Sequence, residues 1–255
     1  MKIGSMNNPE EDVLLEIKRI AEQNFDFIDL TYEWPGVNYA KKGEVKKLLD
    51  KYGLGIIGHT NPTLPAAYPS KKVMDACWED LKDAFNFFSY IGAKKVSIHP
   101  FYYTAHLNEK DLLHENIKIL NKSLEYCCKI GIELMIENCF SPFGSAREIE
   151  TIFKAVPGIK IHLDVGHMNL LDDFETEIEV FLNKFSNEIA HCHIHDNNGD
   201  DDSHLSLGCG TINWERFASL LKRSGYDGTF TLEVFCSDCE YLIFSKNKWE
   251  RLWSG

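Results

Sequence analysis

Residues 189–196 read IAHCHIHD, and the alternation within them decides the fold. Successive side chains of a strand point to opposite faces. Cys192 and Ile194 share one face of this strand, and His191, His193 and His195 share the other. The chain continues as NNGDDDSHLSLGCGTINW (197–214), which gathers Asp200, Asp201, Asp202 and His204 before relaxing into Gly208, Gly210 and Trp214. A solvated acidic loop has no need of the histidines. A buried strand has no use for the aspartates. A cation satisfies both.

Other short runs repeat the pattern. In Lys95–His99, Val96 and Ile98 oppose Ser97 and His99. In Ile132–Glu137, Leu134 and Ile136 oppose Met135 and Glu137. In Lys160–Asp164, Ile161 and Leu163 oppose His162 and Asp164. In Thr229–Phe235, Phe230, Leu232 and Val234 oppose Thr231 and Glu233. With Lys2–Ser5, Phe27–Thr31, Leu54–His59 and Ile189–His195, these make eight expected strands. Stretches of helical period separate them, among them PEEDVLLEIKRIAEQ, which follows Asn8 and opens with Pro9, a plausible cap and first turn. Gly53, Gly92, Gly131, Gly158 and Gly228 stand where helices would end. Eight β-then-α units in 255 residues, about 30 residues each, predict one domain over residues 1–255, a parallel (β/α)8 TIM barrel. The apolar strand faces then meet the outer helices. The polar faces turn inward, and their C-terminal ends share one rim, where barrel enzymes place their chemistry.

Composition narrows the function. The formal charge is −12 and no basic cluster stands out, which disfavours nucleic acid as a partner, since phosphate contacts need Lys and Arg. A groove can still be locally positive. No apolar run is long enough to cross a bilayer, and MKIGSMNNPEED has no signal-peptide pattern, so a cytoplasmic protein is expected. The eight cysteines are scattered and read as reduced thiols, Cys236 and Cys239 included, because that CxxC lacks a second pair. Assembly into homo-oligomers is left open.

The rim collects His59, His99, Glu137, Asp164, His167, His193, Asp202, His204 and Glu233. These oxygen and imidazole donors suit zinc, manganese, cobalt or iron. Any one of them is more often a hydrogen-bonded structural residue than a ligand, but six consecutive strands ending alike argue for metal. His106 and His114 read as surface residues, and His162 and His191 as satisfied core residues. His195 stays undecided between ligand and supporting residue.

The segments LDVGHMNL (163–170) and HIHDNNGDDDSHLSLGCGTINW (193–214) resemble the xylose-isomerase-like TIM-barrel superfamily (AP endonuclease family 2). It includes endonuclease IV and many sugar isomerases and epimerases, and the resemblance runs over essentially the whole chain. In the sugar epimerases it implies one divalent ion held by Glu137, Asp164, His193 and Glu233. Glu137 and Glu233 would double as acid/base groups beside a carbonyl, and His167 would contact the sugar. In endonuclease IV it implies three zincs. Glu137 bridges the first and second, His59 and His99 complete the first, and His167, Asp202 and His204 hold the third. Between one and three ions are therefore expected.

Two activities compete. The first is a metal-dependent isomerase or epimerase of a small sugar or sugar phosphate, favoured by the acidic surface and the two rim glutamates. Trp34 and Phe101–Tyr103 are candidate pocket walls or ordinary packing. The second is an endonuclease-IV-like phosphodiesterase, favoured by the full set of nine. Against it, HTNPTLPAAYP (59–69) lacks the aromatic that the repair enzymes place three residues after the histidine, YEWPGVNYA (32–40) has no arginine, and Ser203 stands where they carry Arg. A metal-binding barrel without turnover is the third possibility. Asp200 and Asp201 read as solvated, Gly208 and Gly210 as a tight turn, and Asn213 as the cap of the helix opened by Trp214.

Overall fold

The computed structural model describes residues 1–33, 37, 41–102, 108–236 and 238–255. Trp34, Tyr103 and His106 lie outside the described residues. Eight strands alternate with helices along the chain: β1 (Lys2–Met6), α1 (Val13–Glu22), β2 (Phe27–Tyr32), α2 (Lys42–Tyr52), β3 (Gly55–Thr60), α3 (Lys71–Ile91), β4 (Lys95–Ile98), α4 (Glu109–Ile130), β5 (Glu133–Glu137), α5 (Ala146–Ala155), β6 (Lys160–Asp164), α6 (Val165–Asn169), α7 (Phe174–Phe185), β7 (Ile189–Ile194), α8 (Trp214–Arg223), β8 (Thr229–Leu232) and α9 (Glu240–Ser254). All pair in parallel with their sequence neighbours, and β8 closes onto β1. The expected (β/α)8 barrel is the observed one.

The outward strand residues Ile28, Leu30, Val96, Ile98, Leu134, Ile136, Ile161, Leu163, Cys192, Ile194, Phe230 and Leu232 are fully or almost fully buried beneath the helices. The N-terminal end of the barrel interior is plugged by Phe27, Ile57 and Met135, with Ala190 against them. Gly4, paired with Phe27, makes room for that ring: a Cβ there would lie 2.3 Å from it. Polar residues fill the interior above this plug.

Local details depart from expectation. The first helix starts at Val13, not Pro9, because the Asp12 side chain caps it by accepting from Leu14 N. Gly53, Gly92 and Gly131 end their helices in the left-handed conformation as expected, whereas α8 ends at Ser224, short of Gly228. Asn213 caps α8 as expected. Strands β4, β7 and β8 stop one residue before His99, His195 and Glu233, which leave the ladder at the rim. Between β6 and β7 the register slips: Ile161 pairs with Ile189, but His162 pairs with His191, so Ala190 is an extra residue in β7. No described helix is long and apolar enough to cross a membrane.

Candidate metal centre and active site

Asp164 ends β6, and its Oδ1 accepts from His167 N at 2.7 Å, capping α6 and fixing His167 over the barrel mouth. His193 comes from β7 and Glu137 from β5. Glu233 follows β8, its N–H weakly bonded to Ile194 O at 3.4 Å. These four meet at one atom, His193 Nδ1. Glu233 Oε2 lies 2.8 Å from it, Asp164 Oδ2 3.6 Å and Glu137 Oε1 4.0 Å.

The other oxygen of Glu137 faces a second group. His59 Nε2 and His99 Nε2 each lie 2.9 Å from Oε2, and His162 Nδ1 lies 3.1 Å away. A third group surrounds Asp202. Its Oδ2 is 3.1 Å from His167 Nε2 and 3.3 Å from His204 Nε2. His204 has φ 46, a left-handed conformation that costs a non-glycine residue about 1 kcal/mol or more. The nine residues singled out in the sequence are thus brought to one rim in three adjoining groups.

Charge explains why the groups are incomplete as they stand. Asp29, Glu137, Asp164 and Glu233 are buried and Asp202 is mostly so. Among the described ion pairs none of the five meets a Lys or Arg; every partner is a histidine. Burial alone would raise the Glu137 carboxyl, but its interaction with His162 and His99 and hydrogen bonds from His162 and His59 hold it well below the usual carboxylate range. Asp164 is held low in the same way, against burial, by His167, His195 and His193. In return, His193 is raised well above the ordinary imidazole value: burial opposes this, but Glu233, Asp164 and Asp29 outweigh it. His204 rises to about 9, with Glu233 and Asp202 overcoming burial. Protonated imidazoles are standing in for cations. Asp164 Oδ2, Asp202 Oδ1 and both ring nitrogens of His195 nevertheless lack a hydrogen bond. Buried carboxylates, imidazoles and unsatisfied lone pairs in this arrangement fit a divalent ion.

Three features went unread in the sequence. Asp29, at the centre of β2, accepts from His193 Nε2 at 2.9 Å, from His191 Nε2 at 3.1 Å and from Thr231 Oγ1 at 3.0 Å. The alternation of FIDLTY, with Asp29 on the face of Phe27 and Thr31, is the signal that marks it. Asp196 organises the 197–214 loop. Its carboxylate accepts from the N–H groups of Gly208, Ile212 and Asn197 and from Trp214 Nε1 at 2.8 Å. Gly210 lets that loop close, since a Cβ there would lie 2.1 Å from Asn197 O. Finally, Phe140 and Phe235 are exposed at the rim, with ring centroids 5.2 Å from His167 and 5.0 Å from His204 respectively. Of the two readings of Phe101, pocket wall or ordinary packing, the structure shows packing: the ring is fully buried in the core, and Asn116 bonds both its N–H and its C=O. His191 is satisfied in the core as expected, with Nδ1 2.7 Å from Thr229 Oγ1. His162 is only half satisfied, its Nε2 having no hydrogen bond. His114, Asp200 and Asp201 are exposed as expected, and the described cysteines are all free.

Comparison with known proteins agrees with this fold. The model of the xylose isomerase-like TIM barrel family matches residues 17–253. The chain belongs to that family. Two uncharacterized proteins of Methanocaldococcus jannaschii, MJ1311 and MJ1614, are each 29% identical to it over 238 and 229 residues. Those matches cover 88% of this chain in both cases, and 79% and 88% of the relatives. Among solved structures, a D-tagatose 3-epimerase-like protein superposes with TM-score 0.88 at 26% identity, covering 100% of this chain and 97% of its own. A D-psicose 3-epimerase from Clostridium cellulolyticum H10, solved with D-tagatose, superposes with TM-score 0.82 at 16% identity over 99% of both chains, a likeness of fold.

Proposed function

We propose that this protein is a divalent-metal-dependent isomerase or epimerase of a small sugar or sugar phosphate. The observation that carries the reading is the meeting of Glu137 and Glu233, from opposite parts of the barrel, at His193 Nδ1 beside Asp164. Likeness to a D-tagatose 3-epimerase-like protein across the whole chain supports it. Glu137, Asp164, His193 and Glu233 are the residues that would hold the ion, of which manganese, cobalt or zinc suits the donors. When bound, the ion supplies Lewis acidity toward a sugar carbonyl and the hydroxyl beside it.

The chain's own residues move the proton. Glu233, the more exposed of the two glutamates, takes it from the carbon next to the carbonyl. Its return by Glu233 to the former carbonyl carbon, with the proton of the neighbouring hydroxyl passing to the carbonyl oxygen, gives isomerisation. Delivery to the original carbon by Glu137, from the other side, gives epimerisation. In that case Glu137 draws its proton from His99, 2.9 Å from Oε2. His167, whose Nε2 faces Asp202 and whose ring lies beside Phe140, would exchange its bond to Asp202 for one to a sugar hydroxyl. Phe140 and Phe235 offer apolar faces to a sugar ring.

The test is solvent exchange. Metal-loaded protein is incubated with ketoses, D-tagatose and D-psicose first, and with aldoses and their phosphates in D2O. The expected result is one deuterium at the carbon beside the carbonyl together with a new isomer or epimer. A second reading, an endonuclease-IV-like phosphodiesterase, draws support from His59 and His99 sharing one oxygen of Glu137, which a one-ion epimerase does not require. Cleavage of abasic DNA or a small phosphodiester, with no exchange into any sugar, would replace the first reading by the second.

A further inference from the structure

The CxxC of Cys236 and Cys239 reads as reduced thiols in the sequence, and both are free in the structure. Placement gives them a role. Both are exposed, and both line one cavity of about 480 Å3 together with Val234 and Phe235, the two residues that follow Glu233. A cavity of that size admits a small organic molecule. Cys239 is the N-cap of α9, but its side chain makes no cap bond, so the thiol is not engaged there. The other exposed cysteines stand apart: Cys128 is on α4, and Cys209 lines a different cavity with Tyr241 and Phe244. Cys236 is also tied to the site. Its Sγ lies 3.9 Å from Ser206 Oγ, in the loop after β7. Just before it, Phe235 N bonds His204 O at 3.4 Å, and His204 Nδ1 lies 3.2 Å from Glu233 O. These contacts stitch residues 233–236 to residues 204–206.

We propose that Cys236 and Cys239 are a dithiol site for small uncharged disulfides, and that closing it into an intrachain bridge slows the active site. Glu11 and Glu16 line the same cavity against one cation, Arg19, which favours an uncharged disulfide over an anionic one. The Cys239 sulfur, as thiolate, attacks one sulfur of the disulfide and expels the first small thiol. The Cys236 sulfur then attacks the mixed disulfide at Cys239 and expels the second. The two cysteines give up two electrons and two protons, and the small disulfide leaves as two thiols. The bridge sets the sulfurs about 2 Å apart. Cys236 Sγ is thereby drawn from Ser206, and the segment carrying Glu233 and Phe235 is pulled with it. The slowing rests on the function proposed above; the bridge does not.

The experiment reads both. The whole chain, loaded with Mn2+, is incubated with bis(2-hydroxyethyl) disulfide, blocked with N-ethylmaleimide, digested and mapped by mass spectrometry. The expected product is a peptide holding Cys236 and Cys239, two hydrogens lighter and free of maleimide, restored by dithiothreitol. Cys236→Ser is expected to trap the mixed disulfide on Cys239 instead. Turnover in the deuterium-exchange assay is expected to fall about tenfold in the bridged wild-type chain, within what a small misplacement of a reacting group costs. The double variant Cys236→Ser, Cys239→Ser is expected to keep its rate under the same treatment. Both cysteines still taking maleimide, or a bridge from either to Cys209, overturns the proposal. A bridged chain with an unchanged rate overturns the control of turnover. A bridge that forms in a chain turning over no sugar overturns the proposed function and leaves the dithiol site standing.

Discussion

Glu137 serves two neighbourhoods with its two oxygens. Oε2 faces His59, His99 and His162, while Oε1 faces His193 and, at 3.5 Å, His167. Removing its charge while keeping its shape therefore affects more than proton transfer. Glu137→Gln is expected to lower kcat by at least about a hundredfold, the range of a lost acid/base group, and to weaken metal retention as well. Glu233→Gln should lower kcat comparably while the ion shared by Glu137, Asp164 and His193 is retained. Elemental analysis beside steady-state rates separates the two, and full activity with full metal in Glu137→Gln would refute the proposed mechanism. Asp29 acts one step further away. It takes the Nε2 side of His193 and so leaves Nδ1 facing the carboxylates. Asp29→Leu is expected to weaken metal binding about 10- to 100-fold, read by competition with a chromogenic chelator. At this scale the sequence was largely legible, because a His, Asp or Glu at the ends of the last six strands is visible in the alternation. Asp29 was harder to see because it sits mid-strand, where its partners are named only by the closing of the barrel.

The loop after β7 is an element in its own right, and its carboxylates divide the work. Asp202 faces the site, Asp200 and Asp201 face solvent, and Asp196 holds the turn together through four N–H donors. Loss of Asp196 strands these donors in a buried place. Asp196→Ala should destabilise the chain by on the order of 3 kcal/mol, measured by urea unfolding, with a marked fall in activity because Asp202 and His204 hang from the same loop. Elsewhere the elements are ordinary and their termini predictable. Ser145 and Glu148 cap α5 reciprocally, and Ser145→Ala should cost about 1 kcal/mol with activity unchanged. The periodicity of the sequence places every strand, but it cannot tell which of Asn8, Pro9 or Asp12 begins the first helix, since all three favour helix starts and only the reach of the side chain to a free N–H decides.

Across the molecule, the barrel buries a set of negative charges that no lysine or arginine among the described residues meets. Folding therefore works against electrostatics unless histidines hold protons or a cation arrives. Chelation is expected to lower the Tm, and metal at a hundred times its Kd should restore about 2.7 kcal/mol, visible as a concentration-dependent Tm in differential scanning fluorimetry. A Tm indifferent to chelator and metal would count against a resident ion. The acidic surface is a separate matter and speaks only to partners and solubility. Fold and rim were readable because both follow from counting periods. On the proposed reading, the choice of sugar would rest on loop side chains such as Phe140 and Phe235, which obey no period and so could not be read in this way.

The extra residue in β7 has a consequence for how such a site can be inherited. The ladder is in step on both sides of Ala190, with Ile189 opposite Ile161 and His191 opposite His162, so the inward row of histidines is set by its partners and not by the bulge. Deleting Ala190 would remove the bulge and set Ile189 and His191 side by side opposite Ile161 and His162, with the row of histidines still facing inward. The orientation of this strand is thus inherited from its neighbours β6 and β8, and this one codon can be gained or lost without turning any of the three histidines away from the site.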